Sequence, residues 1–184
     1  MPELPEVETV VRSLRPQVVG WTLGAAQTGP HRLRAPLDQK ALAALAGRPV
    51  VGIERLGKYL LFRLGDGAPL ILSHLGMTGR YAVAAPDAPL EPHTHLRVAL
   101  SRPGEPPRQL RYSDPRRFGL VVVRPPGALP EELRDLGPDP LGDAFTPAGL
   151  YESLRGTERP LKSALLDQAL VRSEEHTSEL QSRQ

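Results

Sequence analysis

The sequence predicts an α+β fold, a β-sandwich flanked by helices and followed by a helical segment. Three observations carry that expectation. Between residues 50 and 124, short runs rich in Val, Leu, Ile, Tyr and Phe alternate with turns containing Gly and Pro, the pattern of antiparallel sheets. Ahead of them, Val7, Val10, Val11 and Leu14 recur at i, i+3, i+4 and i+7, one apolar face of a helix. Behind them, Thr146-Pro147 and Pro160 are helix starts, and each opens a segment with apolar residues at helical spacing.

The first helix begins near Pro5, where a missing N–H costs nothing, with Glu6 and Glu8 near the positive end of its dipole. Pro16 is expected to end it or lie just beyond it. Residues 20–23 read as a short strand and residues 31–34, His-Arg-Leu-Arg, as a basic loop or strand segment. Residues 37–46 read as a helix with Leu37, Ala41, Leu42 and Leu45 on its apolar side, Gly47 as its cap and Pro49 after it. Strands follow at 50–55, 59–64 and 70–74, the last two forming a hairpin around residues 65–69. Further strands are expected at 80–84, 95–101, 108–113 and 118–124, with residues 85–92 a Pro-rich mobile loop. Residues 125–145 are rich in Pro and Gly, with a short helix near 130–135, and read as a linker. Leu150, Tyr151 and Leu154 supply the apolar face of the helix that Thr146 caps. Leu161, Ala164, Leu165 and Ala169 line one side of the next.

No apolar run among the 184 residues approaches the length needed to span a membrane, and the acidic N-terminus is not a signal peptide. The expectation is a cytoplasmic protein without a membrane partner. There is no Cys, which excludes disulfides and thiolate metal sites in these residues, and no metal site is expected. The net charge is only +2, but the basic residues are nearly all Arg, which suits planar, bidentate phosphate contacts. That balance permits nucleic-acid binding without establishing it.

Five stretches could carry chemistry. Removal of Met1, which the small Pro2 permits, would leave Pro2 with a secondary amine at the N-terminus. An α-amino group titrates at about 7.7–8.0, so part of it is unprotonated and nucleophilic at neutral pH. Glu3 beside it is a carboxylic acid within reach of whatever the amine attacks, the equipment for forming an imine and moving protons around it. By itself this stretch reads first as the preamble to a helix, and only second as a catalyst. Lys58, between Gly57 and the apolar run Tyr59-Leu60-Leu61-Phe62, is either a partly desolvated catalytic lysine or a solvated strand end. Met77, in the turn His74-Leu75-Gly76-Met77-Thr78-Gly79, is either a wedge inserted between bases or a core residue beside a turn. His93 and His95, at i and i+2, would share one side of a strand. With no third metal ligand in view, they read as polar contacts to phosphate or to a strand neighbour. In Arg111-Tyr112-Ser113-Asp114-Pro115-Arg116-Arg117-Phe118-Gly119, Asp-Pro makes a turn. The paired arginines with one aromatic beyond them suit phosphate and base contacts, or form a salt-bridged hairpin tip.

Taken together and in order, these stretches resemble bacterial formamidopyrimidine-DNA glycosylases. The resemblance rests on Pro2-Glu3-Leu4-Pro5-Glu6-Val7-Glu8-Thr9, Gly57-Lys58-Tyr59-Leu60, His74-Leu75-Gly76-Met77 and Asp114-Pro115-Arg116-Arg117-Phe118-Gly119. Leu136-Gly137-Pro138-Asp139-Pro140-Leu141 and the helix from Pro160-Leu161-Lys162 to Asp167-Gln168 extend it, so that it covers residues 1–171. It implies a base-excision-repair glycosylase and AP lyase that removes oxidised purines (8-oxoguanine and formamidopyrimidines) from damaged double-stranded DNA, acting as a monomer. Pro2 would be the Schiff-base nucleophile, Glu3 the acid that assists sugar opening, and Lys58 a phosphate contact and the proton donor for β-elimination. His93 and Arg116 match DNA-binding positions, and Met77, Arg116 and Phe118 would fill the gap left by the extruded lesion. Arg159, or Thr157 two residues before it, falls at a further phosphate-binding position. A catalytically silent DNA-binding module is the alternative. A tautomerase-like enzyme with an N-terminal proline is another, but it leaves the Arg-Arg-Phe loop unexplained.

The implied organisation is an N-terminal catalytic sandwich over residues 1–124, a linker over 125–145, and the start of a helix–two-turn–helix domain over 146–171. After Val171 the sequence departs from the family. Residues 172–184 are polar and aperiodic, and resemble translated adapter DNA appended to a truncated reading frame. The family would continue here into a helical segment and a four-cysteine zinc finger. No cofactor is therefore expected in these residues, and the 184-residue chain is expected to be weakly active or inactive.

Overall fold

A computed structural model describes residues 2–65, 67, 69–127, 130–134, 136–140, 142–165, 167 and 169–171. The expected tail over 172–184 lies outside these. The chain divides into two compact units, residues 1–128 and 129–184.

The first unit opens with helix α1 (Leu4–Val18). Its N-cap is Glu3, whose backbone N–H donates to the Glu6 carboxylate at 3.0 Å, satisfying one of the donors that a helix start leaves open. Val7, Val11, Leu14 and Val18 are buried along one stripe. Pro16 does not end the helix, contrary to expectation. It lies inside the last turn, and the chain closes behind it through Val19 N to Arg15 O at 3.0 Å. So close to the end, the proline removes one ladder bond without breaking a long run.

Two four-stranded antiparallel sheets follow. Their strands are β1 (Thr22–Thr28), β2 (Val50–Leu56), β3 (Tyr59–Leu64), β4 (Leu70–His74), β5 (Arg80–Ala84), β6 (Thr94–Ser101), β7 (Arg108–Ser113) and β8 (Leu120–Arg124). One sheet runs β1-β6-β7-β5 and the other β2-β3-β4-β8. Between β1 and β2 lies the short helix α2 (Gln39–Ala43), capped by Asp38, whose carboxylate accepts from Ala41 N at 2.9 Å. A single apolar core takes Val7, Val11 and Leu14 from α1 together with Trp21, Ile53, Phe62, Leu96 and Tyr112. The Tyr81 ring stands 4.9 Å from its strand partner Tyr112 and, across the sandwich, 5.4 Å from Phe62, and the Tyr81 hydroxyl donates to Ser73 Oγ at 2.8 Å.

The structure corrects five local expectations. The first strand runs to Thr28 rather than ending at Leu23, because Ala26, Gln27 and Thr28 pair with β6 despite their weak strand preference. The second helix covers only Gln39–Ala43 of the expected 37–46. His93 and His95 do not share a strand face. His93 precedes β6 with φ at +62° and is exposed, whereas His95 is buried, and the register shifts between Thr94 and Leu96. Such a bulge re-aims side chains that strict alternation would put together. Residues 85–92 are anchored rather than loose. The buried Arg111 guanidinium donates to the carbonyls of Pro89 (2.9 Å), Ala85 (3.0 Å) and Ala88 (3.0 Å), and its Nε to Gln109 Oε1 at 2.8 Å. The final strand also begins two residues later than expected, leaving Phe118 in a loop.

In the second unit, a 3-10 turn (Glu131–Leu133) precedes α3 (Pro147–Leu154) and α4 (Leu161–Leu165). Thr146 caps α3 as expected, its hydroxyl accepting from Gly149 N at 3.0 Å. The expected apolar face of α3 is not buried: Tyr151 is 65% exposed. In α4, Ala164 is buried and Leu161 is 61% exposed.

Candidate active site

The cap of α1 and the turn between β2 and β3 meet at one point. Gly57 takes φ of +60°, a conformation that glycine adopts without penalty, and this tight turn directs Lys58 inward. Lys58 is 6% exposed, and its Nζ lies 2.7 Å from Glu3 Oε2. Of the two sequence readings, a solvated strand end is excluded.

A second set of contacts braces this junction. Arg55 Nε donates to Glu8 Oε2 at 2.8 Å, while Arg55 Nη1 reaches the Gly57 carbonyl at 3.3 Å. Arg12 holds the other Glu8 oxygen at 2.8 Å. The Arg55 hydrogen bond, more than any other influence, holds the Glu8 carboxyl below the usual carboxylate range, against the opposing effect of burial. Arg15 adds two bonds to the Ile53 carbonyl, at 2.9 and 3.2 Å, tying α1 to β2 a second time. The strand pair Tyr59 and His74 stacks edge to face beside this turn, with ring centroids 4.9 Å apart, and His74 Nδ1 accepts from Gly76 N at 3.0 Å.

Pro2 opens onto a cleft of about 380 Å³, lined with it by Met77, Thr78, Gly79, Arg80 and Pro115. The fold thus brings the N-terminus alongside two loops distant in sequence. Met77 is 38% exposed, which excludes the core reading. Phe118 is 50% exposed, and the Arg116 guanidinium lies 5.1 Å from the centre of its ring. His93 is exposed near the same loop, its carbonyl accepting from Asp114 N at 3.1 Å. The basic segment 31–34 runs alongside, joined by Arg34 N to Gly119 O at 3.1 Å and by the His31 ring, 6.3 Å from His95.

Asp114 is the residue that the sequence reading undervalued. It appears there only as half of a turn, yet it is fully buried. Oδ1 accepts from the Thr78 hydroxyl at 2.5 Å and Oδ2 from Gly119 N at 2.8 Å. Burial raises the Tyr112 hydroxyl pKa far above its ordinary value, with Tyr81 and Asp114 adding to the effect.

Arg159 belongs to the second unit, where its Nη1 lies 2.9 Å from Asp167 Oδ2. A backbone hydrogen bond from Ala169, followed by Arg159, keeps the Asp167 carboxyl low. Among the described residues, no group of three or more His, Cys, Asp or Glu could hold a metal ion, and no helix is long and apolar enough to cross a membrane.

The family profile described as formamidopyrimidine-DNA glycosylase N-terminal domain matches residues 1–121. The chain belongs to the formamidopyrimidine-DNA glycosylase family. It is 45% identical over 181 residues to the formamidopyrimidine-DNA glycosylase of Geobacillus kaustophilus, a match covering 93% of this chain and 62% of that protein. The protein of that name from Hahella chejuensis is 41% identical over 172 residues, covering 93% and 61%. The Lactococcus lactis enzyme bound non-covalently to DNA containing an AP site superposes with a TM-score of 0.79 at 36% identity, covering 94% of this chain and 64% of that one. Its complex with DNA containing a formamidopyrimidine lesion gives 0.77 at 36%, covering 92% and 62%. The chain thus spans about three fifths of the length of the curated relatives it matches.

Proposed function

We propose that this chain carries the catalytic half of a base-excision-repair glycosylase and AP lyase acting on oxidised purines in double-stranded DNA as a monomer. The observation that carries the reading is the junction at the start of α1. The buried Lys58 ammonium stands 2.7 Å from Glu3, next in the chain to a proline that opens onto a cleft. With Met1 removed, the Pro2 nitrogen attacks C1′ of the damaged nucleotide. The glycosidic bond breaks with its electron pair leaving on the base, which takes up the proton that the Pro2 nitrogen sheds. Glu3, as its carboxylic acid, passes a proton to the ring oxygen as the sugar opens to the iminium. Lys58 contacts a phosphate and donates the proton in the β-elimination that follows. Met77, Arg116 and Phe118 fill the gap that the extruded nucleotide leaves. Unstacking costs a few kcal/mol, so such side chains favour the extruded state. His93 and Arg116 contact the DNA, and Arg159 contacts a further phosphate. The zinc finger that the resemblance implies needs cysteines, and this sequence has none.

The test is borohydride reduction in the presence of DNA carrying an abasic site. A covalent protein–DNA adduct is expected, sharply reduced in Pro2→Gly and absent from protein whose intact mass shows Met1 retained. Protein lacking Met1 that binds abasic DNA but yields no adduct would instead identify a silent DNA-binding module. Strand cleavage of an 8-oxoguanine duplex by the 184-residue chain is expected to be weak, since these residues span 62% of the Geobacillus kaustophilus relative.

A further inference from the structure

Met77 and the pair Arg116 and Phe118 come from loops about forty residues apart, yet those loops are locked together. The Thr78 hydroxyl donates to Asp114 Oδ1 at 2.5 Å and accepts from Arg116 N at 3.1 Å, using its one donor and one of its acceptor sites. The second Asp114 oxygen accepts from Gly119 N at 2.8 Å, and the Asp114 carbonyl accepts from Arg117 N at 3.2 Å and faces His95 Nε2 at 2.9 Å. Every polar atom of this buried residue is therefore committed to holding the loop. The two backbones also touch. A Cβ on Gly76, which has φ of +63°, would stand 2.6 Å from Gly119 N and from the Phe118 carbonyl carbon, closer than any side chain can approach. Gly119 in turn abuts the Tyr112 hydroxyl, which a Cβ there would overlap.

We infer that Thr78 and Asp114 are positioning residues that fix the Met77 turn and the 114–119 loop as one preset wedge, so that Met77, Arg116 and Phe118 enter the duplex as a unit. The inference rests on the gap-filling role proposed above for those three side chains. A wedge assembled before contact loses no conformational freedom on insertion, whereas three independent side chains on separate loops would each have to be ordered. Sequence spacing alone could not show this, because the lock joins Thr78 to a carboxylate and a backbone N–H on a loop distant in sequence.

The test is the ratio of borohydride-trapping rates on duplex DNA with an abasic site to those on a single strand of the same sequence. A single strand has no stacked gap to fill, so the ratio reports the wedge. Thr78→Val keeps the shape and removes both hydrogen bonds, and the ratio is expected to fall about tenfold, the scale of one or two lost hydrogen bonds. Thr78→Ser is expected to restore it. A residue that merely stabilises the fold would lower both rates together, and an unmoved ratio in Thr78→Val would overturn the inference. A second measurement leaves the lock intact. On duplex, the losses from Met77→Ala and Phe118→Ala are expected to be non-additive, and strict additivity would show independent side chains. Wild-type protein whose intact mass shows Met1 removed and that traps neither substrate would refute the glycosylase reading itself, and the wedge with it.

Discussion

Replacing Arg55 by Met removes a guanidinium that serves two acceptors at once. Its side chain is 7% exposed, its Nε is 2.8 Å from Glu8 Oε2, and its Nη1 is 3.3 Å from the Gly57 carbonyl. Met is unbranched and adaptable, so it fills much of the same channel and the change is chiefly one of charge and hydrogen bonding. Glu8 retains Arg12, but that side chain is 73% exposed, and a pair of that kind contributes about 0.2–1 kcal/mol. A hydrogen bond to a charged group contributes about 1.5–3 kcal/mol. The Glu8 side chain is 21% exposed and recovers some water, which places the expected loss toward the lower end, at about 2 kcal/mol. For a chain of this size, that corresponds to a fall in Tm of about 4–8 °C.

The pH dependence gives the prediction a second arm. The Glu8 carboxyl titrates lower in the folded chain, chiefly because of its hydrogen bond from Arg55. A depressed folded pKa contributes stability above the unfolded value, about 4.3 for Glu, and loses it as pH falls through the folded value. The gap between wild type and Arg55→Met, followed by thermal melting, is therefore widest near neutrality and narrows below about pH 4. Because Gly57 sits between Arg55 and Lys58, the variant also slackens the turn that presents Lys58 to Glu3, so abasic-site trapping slows. Coincident melts at neutral pH, or a gap that stays constant into acid, would show that Arg55 does not brace this junction.

Two other variants probe the loops. Arg111→Met strands the carbonyls of Ala85, Ala88 and Pro89. It is expected to speed amide exchange and proteolysis within residues 85–92 and to cost about 3 kcal/mol, and unchanged exchange there would contradict the anchoring role. Gly119→Ala forces a methyl onto the Tyr112 hydroxyl and is expected to cost about 1–3 kcal/mol in thermal melting, in the range of overpacked cores. A simultaneous Tyr112→Phe should return part of that loss by removing the atom struck.

The features legible in the sequence were those set by short-range rules. The apolar stripe of α1, the β3–β4 hairpin and the Thr146 cap each follow from spacing or turn chemistry within a few residues. The misreadings arose where a distant partner overrode local preference. Residues 26–28 are weak strand formers held by β6, Pro16 is tolerated in the final turn of a buried helix, and a bulge turns His93 away from His95. The candidate site divides along the same line. Pro2, Glu3, Lys58, Met77, Arg116 and Phe118 each stood in a readable motif, but their roles came from a resemblance and their proximity from the fold. The groups that fix them in place were not readable, because Asp114, Thr78 and Arg55 each act in part on a backbone atom, that of Gly119, Arg116 and Gly57. An N–H or a carbonyl has the same formula at every residue, so no pattern of side chains marks which one will be grasped. That makes the supporting contacts, more than the reactive groups, the part of this site that only the folded chain reveals. It is also why Thr78 and Arg55, unremarkable as letters, are the substitutions that would test the arrangement most directly.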